Sequence, residues 1–252
     1  MNRETLQFKN MIDSIPISSE SPCSYFPGNI SKVRAFTYFY KLPPVMLEYL
    51  LHDGFRRCGS LYYQTQCSSC KLCLSYRLPL DRFELTRSQK RALKRNQDLT
   101  VTFTAPQMTE QKETMYLEYQ YAQHFLKPAE YKKDRVFDKV KTLMTMYEQM
   151  YSNTHNTMEM ELHLEGRLMG FAIIDVAVQS VSAVYSVYDI NEKRRSLGKN
   201  IILKSIEWAL KKGFKYYYLG YYIPGHSKMQ YKAQFKPAEV RKPDKGLWYA
   251  LY

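Results

Sequence analysis

Between residues 216 and 240 the chain reads YYYLGYYIPGHSKMQYKAQFKPAEV. Tyr216, Tyr217, Tyr218, Tyr221, Tyr222 and Tyr231 share this segment with Lys228, Lys232, Lys236 and His226, against one acid, Glu239. Rings that stack on bases, and ammonium groups that neutralise phosphates, suit the single-stranded end of an RNA. His226 could serve as base, donor or satisfied turn residue. A second basic segment, TRSQKRALKRN, covers residues 86–96. On a helix Arg87, Arg91, Lys94 and Arg95 fall on one face with Lys90 adjacent, and no acid occurs between Glu84 and Asp98. Such a face suits a phosphate backbone. A merely solvated helix is the alternative, although such helices usually interleave acids.

Two further clusters carry chemistry. In VYDINEKRRSLGKNIILKSIEWAL (187–210) a strand runs through a basic, glycine-containing turn into a helix. A helix N-terminus presents unpaired N–H groups and partial positive charge to phosphate or to a developing oxyanion. Arg194, Arg195 and Lys199 add full charges, and Arg195-x-x-Gly198 resembles the acyl-CoA loop of GNAT-type acyltransferases. CSSCKLC supplies Cys67, Cys70 and Cys73, with Cys23 and Cys58 upstream. This spacing fits zinc or an iron–sulfur cluster, with Cys23 the best fourth ligand, ahead of Cys58. It fits packed, buried thiols equally.

The composition frames these clusters. Lys and Arg number 37 against 24 Asp and Glu, a formal +13 with an isoelectric point near 9.4. That excess points to a polyanionic partner. No apolar run approaches the roughly 18 residues of a membrane span, and the N-terminus MNRETLQFKNMIDSIPIS mixes acids and polar residues through its apolar positions, unlike a secretory signal. Five cysteines, an odd number, do not form a disulfide framework. A cytoplasmic protein is expected.

The first hundred residues read as irregular, apart from a helix opened by Pro43 and stopped by Gly54, strands around the cysteine turn in 61–80, and the basic helix at 86–99. A strand, VTFTA, leads out. Beyond residue 110 the pattern predicts two amphipathic helices, 110–125 and 135–151. A hairpin about Glu165-Gly166 follows, then a strand at 182–190, a helix at 201–213 ending at Gly213, and a strand at 215–222. The fold class expected is α/β (α+β) with two lobes. The N-terminal lobe (1–105) holds the cysteine segment and the basic helix. The C-terminal lobe (106–252) is a GNAT-like acyltransferase fold with a mixed sheet.

Six blocks in order resemble the arginyl-tRNA–protein transferase family: PCSYFP (22–27), GFRRCGSLYY (54–63), QCSSCKLCLSYRLPLDRF (66–83), TRSQKRALKRNQDL (86–99), VYDINEKRRSLGKN (187–200) and LGYYIPGHSKMQYKAQFKPAE (219–239). The similarity is greatest to its bacterial branch, which transfers leucine to N-terminal Asp or Glu. The resemblance implies an aminoacyl-tRNA donor and a protein N-terminus as acceptor, marked thereby for degradation. No cofactor is required, since the donor ester is already activated. The protein is expected to act as a monomer away from membranes. Asp189 and Tyr188 are the expected catalytic pair, and Arg195, Ser196, Leu197, Gly198, Tyr221 and Tyr222 line the aminoacyl and 3′-end pocket. Arg77, Arg87, Lys228, Tyr231 and Lys232 hold the acidic acceptor, while Lys90, Arg91, Lys94 and Arg95 bind tRNA. Any metal would fall to Cys23, Cys67, Cys70 and Cys73. The eukaryotic arginyl branch has CGYC where this chain has Pro22-Cys23-Ser24-Tyr25-Phe26, which favours leucine as donor. His226 stands where the family usually has Cys, and Cys58 where it has a small polar residue. Arginine as the donated residue, or a CoA-dependent N-acetyltransferase, is the alternative.

Overall fold

The computed structural model describes residues 3–125, 137–243 and 245–251. In chain order it forms helix α1 (Arg3–Ser14), strands β1 (Ser21–Pro22), β2 (Ile30–Ser31) and β3 (Val33–Thr37), and helix α2 (Pro44–His52). Strands β4 (Arg56–Cys58), β5 (Leu61–Thr65) and β6 (Leu74–Pro79), helix α3 (Arg87–Arg95) and strand β7 (Thr100–Thr104) follow. Helices α4 (Glu110–Gln120) and α5 (Lys139–Met146) precede strands β8 (Thr157–Leu164), β9 (Arg167–Val176) and β10 (Ser180–Tyr188). Helix α6 (Leu197–Lys211) and strands β11 (Tyr216–Tyr222), β12 (Ala238–Arg241) and β13 (Trp248–Leu251) complete the chain.

The chain forms two compact units, both discontinuous: Met1–Glu84 with Val176–Ser182 and Ala209–Tyr252, and Leu85–Asp175 with Ala183–Trp208. The single division expected at 105/106 differs from this, because the last strands join the first 84 residues. In the first unit β3, β5 and β4 make a small antiparallel sheet, while β13, β12, β6 and β11 lie side by side. There Ser180–Ser182 of β10 pairs in parallel with Tyr216–Tyr218 of β11, and β6 pairs antiparallel with β11, so the sheet is mixed. Phe8 and Ile12 of α1 pack with Leu47 and Leu50 of α2 and with Phe55 and Tyr62 to form its core. The cysteine segment does separate two strands, but β5 and β6 belong to different sheets and do not pair.

In the second unit the order is β10, β9, β8, β7. The hairpin β8–β9 turns through Glu165 (φ 49°) and Gly166 (φ 84°), the left-handed pair of a two-residue turn. One sheet face packs Met160, Leu162 and Met169 against Leu197 and Ile201 of α6; the other packs Phe171, Ile173 and Val187 against Tyr116, Met146 and Met150. A buried ion pair ties α4 to β8: Lys112 Nζ lies 2.6 Å from Glu159 and 2.6 Å from Glu161, and Tyr151 donates to Glu159 at 2.7 Å. The second predicted helix begins with Arg135 and Val136, which lie outside the described residues; its described part starts at Lys139. The α/β class with a mixed sheet is as expected. Helix α1 and strands β12 and β13 were not foreseen.

Candidate functional site

In the second unit the chain leaves β10 at Tyr188 and enters a tightly bonded turn. Asp189 Oδ1 accepts from the Asn191 N–H at 2.9 Å, and Oδ2 accepts from Arg167 Nη1 at 2.8 Å. Arg167 Nη2 reaches Glu192 at 2.8 Å. Ser196 takes a left-handed conformation (φ 54°) and starts α6. A Cβ at Gly198 would meet the Tyr188 ring at 2.8 Å, so the tyrosine lies directly against the first turn of α6. Tyr119 meets the Tyr188 ring edge-on at 5.1 Å. Tyr188, Asp189, Tyr119, Met115, Glu118 and Arg167 line a cavity of about 430 Å³. The expected pair Tyr188 and Asp189 and the Gly198 turn therefore come together.

The basic helix belongs to the same place. Thr86 caps α3 with a reciprocal bond to Gln89, and Asn96 donates to Ala92 O and Arg195 O at 2.8 Å each. Arg195, expected in the 3′-end pocket, is instead held by Asp98 through two bonds of 2.9 Å, and that guanidinium keeps the Asp98 carboxyl below its usual range. Arg95 donates to Arg194 O, and Lys199 reaches Ser88 Oγ at 3.4 Å. Arg87, Lys90, Arg91, Lys94 and Arg95 are exposed, as are Lys193 and Arg194. Helix and turn thus form one basic surface within this unit.

Three of the quoted sequence blocks meet in the first unit. Gly220 (φ 82°) sits at a register break in β11, where a Cβ would lie 2.7 Å from the Arg56 Cζ. Only glycine admits that guanidinium, which also donates to Ser182 Oγ at 3.3 Å. Tyr221 is buried; its hydroxyl accepts from Thr65 N–H at 3.2 Å, and burial pushes its pKa well above the usual range. Lys232, 6% exposed, donates to Tyr221 O, and burial with the nearby Arg56 charge lowers its pKa to about 7. Tyr231 and Lys228 are exposed, and Tyr222 is half-buried against Tyr76 with ring centroids 5.6 Å apart. The His226 ring meets Tyr25 and Phe26 edge-on at 5.7 and 5.9 Å, and its buried Nδ1 has no hydrogen-bond partner. Arg77, expected to hold the acceptor, is committed elsewhere. It pairs with Glu239 at 2.8 Å and lies 4.0 Å from the Tyr216 and 4.1 Å from the Trp248 ring centroids.

All five cysteines are free, and Cys23, Cys58, Cys67, Cys70 and Cys73 line a cavity of about 350 Å³ with Tyr25, Phe26 and Tyr63. Burial and the neighbouring thiols push Cys73 up to about 12. Among the described residues no group of three His, Cys, Asp or Glu side chains is placed to hold a metal ion. Sequence reasoning gave no role to Arg56, Arg167 or Tyr119. The first was visible as the paired arginines of GFRR; the other two carry no sequence signal.

Comparison with known proteins gives these sites a context. Two family models match: "Arginine-tRNA-protein transferase, N terminus" over residues 21–91 and "Arginine-tRNA-protein transferase, C terminus" over 111–242. The chain belongs to the arginine-tRNA-protein transferase family. It is 40% identical over 237 residues to an aspartate/glutamate leucyltransferase of Leptospira interrogans serovar copenhageni, covering 94% of this chain and 90% of that protein. It is 31% identical to the enzyme of that name in Hahella chejuensis, covering 88% and 91%, and 34% identical to the one in Shewanella oneidensis, covering 90% and 91%. Likeness to solved structures is low: FemX at 8% identity and TM-score 0.46, covering 92% of each chain, and the Escherichia coli ribosomal-protein-S18-alanine N-acetyltransferase at 16% and 0.29, covering 45% and 62%. Membership makes this transferase an enzyme that draws an amino acid from aminoacyl-tRNA. No helix among the described residues is long and apolar enough to cross a membrane.

Proposed function

We propose that this transferase moves leucine from leucyl-tRNA to the α-amino group of polypeptides beginning with Asp or Glu, working as a cytoplasmic monomer and exposing an N-terminal leucine that marks the product for degradation. The observation that carries this reading is 40% identity over 94% of the chain to a protein named for that reaction. The basic surface of α3 and the 193–199 turn suits the phosphates of the donor stem. In this reading the first turn of α6, beside Tyr188, receives the 3′ end. The reaction needs no cofactor or covalent intermediate, because the ester is already activated. The acceptor amine, with a reference pKa of about 7.7–8.0, is partly neutral at cellular pH. Positioning, proton transfer and a donor for the developing oxyanion remain. Asp189, whose Oδ2 already accepts from Arg167, keeps lone pairs for the incoming amine, and the Tyr188 hydroxyl supplies a donor.

Transfer of radiolabelled leucine and, in parallel, arginine from charged tRNA to peptides beginning with Asp, Glu, Lys or Phe tests the proposal. Leucine on the acidic peptides alone is the expected result. Arginine transfer, or transfer to Lys or Phe, would overturn the donor or acceptor assignment. Asp189→Asn should lower transfer by about 10²-fold, the low end for general-base catalysis, with tRNA affinity unchanged. A parallel loss of affinity would show that Asp189 only shapes the turn.

A further inference from the structure

Helix α4 lays two rows of side chains along the cavity beside Tyr188. Residues four apart stack on one side of a helix, so Met115 and Tyr119 form one row and Glu110, Thr114 and Glu118 the next. The inner row packs on the apolar cluster that includes Leu168 and Phe171, and Leu168 itself lines the cavity together with Ile190. The outer row is exposed, which places two carboxylates at the rim. Among the described residues neither of these glutamates forms an ion pair, and the guanidinium at the cavity, Arg167, is committed to Asp189 and Glu192. A chain with a net charge of +13 thus keeps an acidic rim above an apolar floor. Such a cavity suits a ligand with a cation at one end and a hydrocarbon at the other.

We propose that this cavity holds the amino acid of the donor and selects leucine; this rests on the leucyl-donor reading above. The isobutyl group lies against Met115, Leu168 and Ile190, and the α-ammonium meets Glu118. The placement is continuous with that of the 3′ end. Tyr188 lines the cavity and lies against the first turn of α6, and Asp189 lines it too, so an ester bound this way brings its carbonyl to both. Competitors fail on the same chemistry. An arginyl side chain would carry its guanidinium among Met115, Leu168 and Ile190, out of water and away from the rim acids. A valyl side chain, one methylene shorter, would leave part of the floor unfilled. The carboxylate of an acidic acceptor would meet Glu110 and Glu118 and be repelled, so the cavity does not serve the acceptor's side chain.

The test measures, by calorimetry, the binding of 3′-amino-3′-deoxyadenosine acylated with leucine, valine, arginine or 4-methylpentanoic acid, the last being leucine without its amino group. These amides resist hydrolysis and need no transfer to be read. The leucyl compound should bind about tenfold more tightly than the valyl one, the lower end for one methylene in an apolar pocket, and more tightly still than the arginyl one. It should exceed the 4-methylpentanoyl compound by about fivefold, the upper range for a solvent-accessible ion pair. Glu118→Gln, a change at an exposed position, should erase the fivefold preference and keep the tenfold one. Met115→Ala should shrink the tenfold preference and keep the fivefold one. No binding of the leucyl compound, an equal affinity for the valyl or arginyl one, or preferences unchanged in both variants would overturn the proposal. Leucine transfer to acidic peptides together with no leucyl preference in binding would defeat this inference alone. A leucyl preference in binding without transfer to any peptide would instead defeat the proposed function alone.

Discussion

Arg195 and Arg194 are adjacent but do different work. The arginine that matches the RxxG skeleton is spent on Asp98, while its neighbour is exposed. Arg194→Gln should therefore weaken tRNA binding and leave the melting temperature unchanged. Arg195→Gln should lower the melting temperature and loosen the contact between α3 and the turn, because it removes the pair with Asp98. Equal melting temperatures for the two variants would refute this division. Lys232 predicts a pH dependence. Its folded pKa, about 7, lies below the unfolded reference of 10.5, so between those values the unfolded chain binds more protons and stability rises with pH. Wild-type urea midpoints should climb from pH 7 toward pH 10, and Lys232→Met should flatten that climb. At Gly220 a methyl group would meet Arg56 at a φ of 82°. Gly220→Ala should cost about 1–3 kcal/mol, the usual penalty for a strained left-handed residue, read as a lower urea midpoint.

Among the elements, α3 shows what can be read from a sequence. Its run of cations is a local feature and is found exposed on one helix as expected, and the structure adds a Thr86 cap. The same locality makes the helix fragile. Arg87 and Arg91, Lys90 and Lys94, and Arg91 and Arg95 are like charges one turn apart, which destabilises a helix. The reciprocal bond between Thr86 and Gln89 and the contacts of Asn96 offset that repulsion. Thr86→Ala should cost about 1 kcal/mol and speed hydrogen exchange in the first turn of α3, with the amides of β9 unaffected. Elements set by distant partners were illegible. Helix α1 buries Thr5, Phe8 and Ile12, a stripe too thin to register as a periodic face. Strand β12 follows Lys236-Pro237 and is defined by pairing with β6, more than 150 residues earlier. For the same reason the strands flanking the cysteine turn were legible, whereas their membership of two different sheets was not. The candidate site divides likewise. Tyr188 beside Gly198 followed from a strand–turn–helix order, whereas the approach of Arg56 to Gly220 depends on a bulge in β11 that no local signal announces.

The net charge of +13 becomes specific once it is located. The second unit carries Arg87, Lys90, Arg91, Lys94 and Arg95 on α3 and Lys193 and Arg194 on the turn, all exposed. In the first unit, by contrast, Arg77, Lys232 and Arg241 are buried. The exposed group can exchange counterions for phosphates, so tRNA affinity should fall steeply with salt. For five phosphate contacts the slope of log K against log salt should be about −4, between the single- and double-strand limits. Replacing Lys90 and Lys94 with Gln should make it shallower by about one unit for each residue. The loss should be the same for leucyl-tRNA and for uncharged tRNA, because phosphate contacts do not sense the amino acid. An unchanged slope would place the tRNA elsewhere on the molecule. A loss confined to the charged tRNA would mean that α3 reads the aminoacyl end rather than the stem.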